Sequence, residues 1–160
     1  MSISVAFGTD IDTTFKGQPL KLAPLTLYEL ARLENPYIEY RLKQTAVDTS
    51  VLSKDEQRKA FDEVREERVL LAEDISPILR WVVLNAEGQA ASVKMCFDVN
   101  HPGVMSERDV TIWIKENPVN FERWLVVSGV IPDPTTPSRQ TDSKTETAEE
   151  MPITASASTT

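Results

Sequence analysis

The sequence predicts a mainly α protein, in which a small helical domain begins with a short β-hairpin or meander and is followed by a disordered C-terminal tail. Three observations predict it: alternating apolar residues near the start, repeated helix-start signals after them, and an abrupt change of composition near residue 132. We expect a globular domain over residues 1–131, with the β-element at about 3–22 and helices from about residue 26. Residues 132–160 are then the tail.

The β-element is predicted from apolar residues at every second position. These residues are Ile3, Val5, Phe7, Leu20 and Leu22, with Ile11 and Phe15 between them. Turn-prone residues at 8–10 and 16–19 divide the stretch, so we expect two or three short strands. A hairpin of this size is marginal alone and must pack on other elements.

Two capping boxes predict helix starts, because each pairs a hydroxyl with a carboxylate three residues later: Thr26 with Glu29, and Ser53 with Glu56. Ser106 is predicted to cap a further short helix, with Asp109 at its third position. Pro36 should interrupt the first helix, which we expect to resume at Tyr37. Asn117-Pro118 predicts the start of the last helix, and Gly129 its left-handed end.

The signals for secondary structure between Ser53 and residue 98 differ in strength from one segment to the next. The helix from Ser53 should carry an apolar stripe as far as Ile75 and a charged opposite face. Ser76-Pro77 predicts an N-cap followed by proline at the first helical position, and the apolar run after it predicts a buried central helix. Residues 90–98 fit helix or strand, and we favour helix because the neighbouring segments are helical.

The tail is predicted from composition. Threonine, serine and proline dominate it, acidic residues outnumber basic ones, and aromatic residues are absent. Such a segment cannot bury enough apolar surface to offset its chain entropy, so we expect it to be disordered.

Charge limits the classes of partner. The net charge is −8 and the pI about 4.7, with 41% hydrophobic residues. An acidic surface repels nucleic acid and anionic membranes, so a protein partner is the easier fit. No apolar run is long enough to span a bilayer, and residues 1–5 lack the features of a signal peptide. These features predict a cytoplasmic protein.

Few residues suggest chemistry. The single histidine, His101, lies in a predicted loop, and the single cysteine, Cys96, is interpreted as a small buried thiol. One Cys and one His with no recognisable spacing make no zinc site, and no glycine-rich phosphate loop is present. We therefore predict no catalytic, cofactor-binding or metal-binding residues, no cofactor and no enzymatic activity.

Aromatic residues are the candidates for partner binding. Trp81, Trp113 and Trp124 lie on apolar helical stripes, so core packing is the default interpretation. The alternative is that Trp113 or Trp124 anchors a partner. Tyr28, Tyr37 and Tyr40 are the further candidates, on the first helices.

Two segments resemble tail assembly chaperones of long-tailed bacteriophages. Residues 17–30, with Pro24-Leu25-Thr26 and Glu29-Leu30, are similar to the opening of those proteins, a short β-element followed by a Pro-Leu-Thr helix start. Residues 101–110 resemble their His-Pro loop and Ser/Thr-Glu-x-Asp helix start. Val127-Ser128-Gly129-Val130 resembles the end of their last helix, and a polar extension is typical of them. The resemblance covers about residues 15–131.

This resemblance implies a non-enzymatic function. Such chaperones bind the tape measure protein, keep it soluble, help tail tube subunits polymerise around it, and are absent from the finished virion. The expected location is therefore the host cell cytoplasm, and the expected partners are the tape measure and tail tube proteins. In many relatives a ribosomal frameshift adds a second domain. Homo-oligomerisation is left open.

Other functions remain open at this point. One is a structural virion component, such as a head–tail connector or minor tail protein, and another is a small bacterial adaptor unrelated to phage. The presence of the protein in purified particles separates the first from a chaperone, and gene neighbourhood tests the second.

Overall fold

The computed structural model describes residues 8–135, which form an antiparallel β-hairpin followed by seven helices. This arrangement confirms the predicted mainly α fold. The elements are β1 (Ile11–Phe15), β2 (Gln18–Leu22), α1 (Leu27–Arg32), α2 (Glu34–Asp48), α3 (Lys54–Leu71), α4 (Ser76–Leu84), α5 (Ala86–Asn100), α6 (Glu107–Glu116) and α7 (Pro118–Val127).

The hairpin closes through a two-residue turn. Lys16 and Gly17 have φ values of 49° and 75°, as a type I′ turn requires, and the flanking Phe15 and Gln18 pair directly. One face of the hairpin packs on the core through Ile11, Thr13, Leu20 and Leu22. The prediction of a strand at Ile3, Val5 and Phe7 lies outside the described residues.

The first helical break lies before the proline. α1 starts at the predicted capping box and ends at Arg32, and α2 begins at Glu34, so the prediction that helix resumes only at Tyr37 was wrong. Pro36 is the third residue of α2. It is tolerated there because amides in the first turn of a helix have no intrahelical acceptor.

α3 is the least buried of the long helices. It begins at the predicted Ser53 capping box, but it ends at Leu71, so Ile75 is not part of its stripe. Only Val64 and Leu71 are buried in it. Ion pairs hold it against α2: Arg41 to Glu67 (2.8 Å) and Arg68 to Glu34 (3.0 Å).

The central helix is α5 rather than α4. In α4, Ser76 and Pro77 are the first two helical residues and not an N-cap followed by a first residue, and Leu84 is exposed. α5 packs against α4, α6, β2 and α1, and its Val93, Cys96 and Phe97 are fully buried. The preference for helix over residues 90–98 is confirmed.

The last two helices start and end as predicted. Ser106 caps α6 with Asp109, and Asn117-Pro118 starts α7. Gly129 (φ 68°) ends α7 in a Schellman motif, in which the Val130 amide donates to the Leu125 carbonyl (3.0 Å) and the Gly129 amide to the Val126 carbonyl (2.9 Å). Packing on the core continues to Ile131. The predicted tail lies outside the described residues from 136 onward.

Candidate partner-binding surface

Two of the predicted partner-binding residues lie in the core. Trp113 and Trp124 are fully buried. The Trp113 indole Nε1 donates to Thr13 Oγ1 (3.0 Å), and that of Trp124 donates to the Ala23 carbonyl (2.9 Å). Their indoles fill the space between the hairpin and the last helices, so neither side chain is available to a partner. Both residues are therefore part of the core.

Tyr37 and Tyr40 pack against the third tryptophan, Trp81. Their rings lie 5.7 Å and 5.6 Å from the ring of Trp81, the first in an edge-on arrangement. Tyr37 is buried, and burial raises the pKa of its phenol. The half-buried Tyr40 hydroxyl accepts a hydrogen bond from the Asn85 side-chain amide (3.0 Å). These two tyrosines hold α2 against α4.

Tyr28 is the one predicted residue that is largely exposed, at 69% of its surface. The Arg32 guanidinium lies 5.7 Å from its ring centroid, one helical turn away. The five predicted residues therefore form no common surface. The structure brings Tyr37 and Tyr40 together around Trp81, leaves Tyr28 on the outside, and places Trp113 and Trp124 in the core.

A groove that the sequence interpretation missed lies between α2 and α6. We call it the α2–α6 groove. It has a volume of about 460 Å³. Its lining residues are Pro36, Glu39 and Lys43 from α2, Trp81 from α4, Ala86, Glu87, Ala90 and Ala91 from α5, and Glu107, Arg108 and Thr111 from α6.

Trp81 is the unusual residue of this groove. The residue is only 6% exposed, and its indole Nε1 has no hydrogen-bond partner among residues 8–135. Gly88 allows α5 to pass close to it, since a Cβ at this position would lie 2.6 Å from the Trp81 carbonyl carbon and 2.8 Å from ring atom Cδ2. The helical spacing of residues 36, 39 and 43 was visible in the sequence, but nothing local indicated that α6 lies opposite.

A second exposed apolar surface lies at the turn between α2 and α3. We call it the α2–α3 tip, and it consists of Val47, Val51 and Leu52. Val51 is 88% exposed. The Gln57 side-chain amide donates to the Thr49 and Leu52 carbonyls (3.0 and 3.1 Å), which holds this turn in place.

Cys96 and His101, the two side chains with the most reactive groups, both make structural contacts. Cys96 is fully buried, and burial, with a contribution from the Glu29 carboxylate, raises the pKa of its thiol far above the usual range. His101 Nε2 accepts a hydrogen bond from the Lys21 amide (2.9 Å), and the Asn100 side chain donates to the Lys21 carbonyl (3.4 Å). The end of α5 thus covers the outer edge of β2, an edge that would otherwise be open to another strand.

Within residues 8–135, no three side chains from His, Cys, Asp and Glu come together in a way that could hold a metal ion. In the same part of the chain, no helix has both the length and the apolar character needed to cross a membrane.

Comparison with known proteins identifies no relative. No protein-family model matches the sequence, and no match was found among curated proteins or solved structures.

Proposed function

We propose that this protein is a phage tail assembly chaperone, which binds and solubilises the tape measure protein and assists polymerisation of the tail tube. The proposal comes from the resemblance of residues 17–30 and 101–110 to that family. On this proposal the protein acts in the host cell cytoplasm, has no catalytic activity and is absent from the mature virion.

One structural observation supports treating the two segments as a unit. They lie far apart in sequence but touch in the fold, since the Lys21 amide donates to His101 (2.9 Å), and Lys16, just before the first segment, forms a 2.8 Å ion pair with Asp109. Asp109 belongs to the capping box of the second segment.

Charge and shape are compatible with a helical protein partner. The net charge of −8 repels nucleic acid and anionic lipid. The α2–α6 groove provides a concave surface that combines alanine side chains with charged side chains of both signs. The region from residue 132 would then act as a tether between this domain and whatever follows it or binds it.

Co-expression tests the proposal directly. The tagged full-length chain is produced together with the tape measure protein encoded beside it, and soluble tape measure is measured in the lysate and after pull-down. We expect the tape measure to stay soluble and to be retained, whereas an unrelated acidic helical protein of similar size should retain none. Insoluble and unretained tape measure would contradict the proposal.

Mass spectrometry of purified particles separates the chaperone from a structural virion component. A chaperone should be missing from particles that contain the tube and tape measure proteins. A fixed copy number per particle would instead assign the protein to a connector or minor tail protein.

A further inference from the structure

We propose that the protein forms a homodimer in which α3 packs antiparallel against α3 of a second copy, around a two-fold axis that passes between residues 60 and 61. The inference goes beyond the proposed function and does not depend on it, because it rests on the surface of α3 and the turn before it.

The outward face of α3 has no covering element within residues 8–135. Positions 55, 58, 59, 62, 66 and 69 recur every three or four residues, so they share one face, and all six are exposed. The opposite face, with Val64 and Leu71 buried, packs mainly on α2 and α4. One whole side of an 18-residue helix, about 27 Å long, can therefore meet another molecule.

The charges on this face change sign along the helix. Arg58 and Lys59 lie in its N-terminal half, and Asp62, Glu63 and Glu66 lie in its C-terminal half. Of these five residues, only Asp62 forms an ion pair with another residue between 8 and 135. An antiparallel second copy brings the basic half of each helix opposite the acidic half of the other, whereas a parallel copy would oppose like charges.

The spacing of the charges sets the register. With the axis between residues 60 and 61, Arg58 lies opposite Glu63 of the second copy, and Lys59 lies opposite Asp62. Two-fold symmetry gives each of these pairs twice. The same face is thus complementary to itself, which is the requirement for a closed dimer.

The apolar residues at the two ends of α3 fit the same register. Val51 and Leu52 of the α2–α3 tip come just before the helix, and Val69 and Leu70 lie in its last turn. All four are exposed, Val69 at 72%. In the antiparallel pair Val51 comes level with Leu70, and Leu52 with Val69. Exposed ion pairs contribute little to affinity alone, so contact between these apolar ends supplies the further free energy of association.

A second copy fits this face better than other occupants. Nucleic acid and anionic lipid would be repelled by the acidic half. A different protein would have to carry the reversed order of charges and apolar residues at the same distances, whereas a second copy provides both by symmetry.

Paired charge-reversal variants test the inference. Arg58→Glu with Lys59→Glu makes the face acidic along its length, and Asp62→Lys with Glu63→Lys makes its centre basic. By analytical ultracentrifugation up to about 0.5 mM, we expect the unmodified protein to dimerise and each variant alone to dimerise at least about tenfold more weakly. An equal mixture of the two variants should form heterodimers.

The control changes charge away from α3. Arg80→Glu with Arg123→Glu alters the net charge by the same amount as the acidic variant, at exposed positions on α4 and α7. It should dimerise like the unmodified protein, which separates the effect of the α3 face from that of overall repulsion. Thermal melting should show that all the variants fold.

One like-charged pair gives a test in the opposite direction. Asp55 lies opposite Glu66 in this register, so Asp55→Asn removes a repulsion twice in each dimer. We expect it to strengthen dimerisation by about threefold. Glu122→Gln on α7 removes an exposed acid outside the interface and should leave the dimerisation constant unchanged.

Cross-linking reports the orientation. Cys96 is fully buried, so a cysteine introduced on the surface is the accessible thiol. A short bismaleimide should join two copies of Asp62→Cys, which lie about 5 Å apart along the helix axis, but not two copies of Asp55→Cys, which lie about 16 Å apart. A parallel pair would cross-link equally at both positions.

Three outcomes would overturn the inference: a chain that stays monomeric at the highest concentration, a mixture of charge variants that does not recover dimerisation, or equal cross-linking at positions 55 and 62. A dimer that both charge variants retain would use another surface, and the assignment to α3 would be wrong. None of these results alters the co-expression test of the chaperone function.

Discussion

At the scale of single residues, Thr13 joins the hairpin to the last two helices. Its hydroxyl oxygen accepts hydrogen bonds from the Trp113 indole (3.0 Å) and from the Asn120 side-chain amide (3.2 Å). Thr13 is buried, whereas Thr14 next to it faces solvent. Strand alternation predicts that these neighbours point in opposite directions, but it does not reveal that one of them satisfies a buried tryptophan.

We predict that Thr13→Val destabilises the fold. Valine has nearly the same shape, but it leaves the buried Trp113 N–H without an acceptor, which should lower the free energy of unfolding by about 1–3 kcal/mol. Urea unfolding measures the change. Thr14→Val is the matched control and should stay within about 0.5 kcal/mol of the unmodified protein, because it lies on the exposed face. Equal effects of the two substitutions would contradict the assigned hydrogen bond.

Asp109 is a residue whose pKa reports a tertiary contact. The Lys16 ammonium, and then the Ser106 hydroxyl and amide, lower its pKa to about 2. Ser106 is a local cap that the sequence predicts. Lys16 comes from the hairpin turn, so its contribution depends on how the hairpin lies against α6.

We predict that this contact makes stability depend on acidic pH. Because the pKa of Asp109 is lower in the folded state, its contribution is fully present above the unfolded-state pKa and is lost as the pH falls through about 2. Asp109→Asn should therefore be less stable than the unmodified protein at pH 5, and the difference should narrow between pH 4 and pH 2. Urea unfolding across this range measures it.

The control for this pH dependence is Glu122→Gln, which changes an exposed acid on α7 that makes no side-chain hydrogen bond within the described residues. Both variants lose one carboxylate, so a change with pH that appears only for Asp109→Asn is assigned to the contact with Lys16 and Ser106. A constant difference for Asp109→Asn would show that the contact with Lys16 and Ser106 does not lower the pKa.

At the scale of elements, the helix with the most apolar sequence is not the one at the centre of the fold. α4 is the most apolar run, yet one side of it faces solvent at Leu84. α5 contains mostly small and polar residues but occupies the centre, because its Val93, Cys96 and Phe97 face several neighbouring elements. A helix can be central with a narrow apolar stripe when small residues let other helices approach it.

Gly88 shows how close that approach is. It lies in α5 against the backbone of Trp81 in α4, and a Cβ there would come within 2.6 Å of the Trp81 carbonyl carbon. Helix propensity alone predicts the opposite preference, since alanine is favoured over glycine by about 1 kcal/mol. The tertiary contact therefore determines which residue is tolerated.

We predict that Gly88→Ala destabilises the protein by about 1–3 kcal/mol, because α4 and α5 must move apart to admit the methyl group. Chemical unfolding measures the sign of the change in the free energy of unfolding. A gain in stability would mean that helix propensity dominates and that the two helices do not pack as closely as described. The same substitution should also shift the nuclear magnetic resonance signal of the Trp81 indole N–H, because Trp81 lies at this contact.

At the scale of the whole molecule, one core extends from Ile11 in β1 to Leu125 in α7. Val130 and Ile131 still pack against it, whereas residues 132–135 are exposed. Composition changes at the same place in the chain. Burial and composition therefore change together after residue 131.

We predict that deleting residues 133–160 changes the melting temperature by less than about 2 °C, because a segment of that composition contributes little buried apolar surface. Calorimetry of the truncated and full-length chains measures the difference. Deleting residues 130–160 is the informative comparison, since it also removes Val130 and Ile131 and should lower the melting temperature clearly. A large drop for the shorter deletion would show that the tail contributes to the fold.

Local signals in the sequence determined the hairpin, the fold class and the starts of α1, α3, α6 and α7. The Thr26, Ser53 and Ser106 caps, the Lys16-Gly17 turn and the Gly129 stop were all predictable, because each depends on interactions within a few residues. The position of the break before α2 was not, since a proline is tolerated in the first turn of a helix.

Only the tertiary structure decided which aromatic residues are buried and which are exposed. The apolar spacing around Trp113 and Trp124 fits either a core residue or an interface hot spot. The residues that accept hydrogen bonds from their indoles, Thr13 and Ala23, lie about a hundred residues away in the chain. For the same reason the α2–α6 groove could not be predicted, since residues from four helices between positions 36 and 111 form it. A pattern of spacing identifies a face of one helix, but the surface opposite that face is set by the packing of the whole chain.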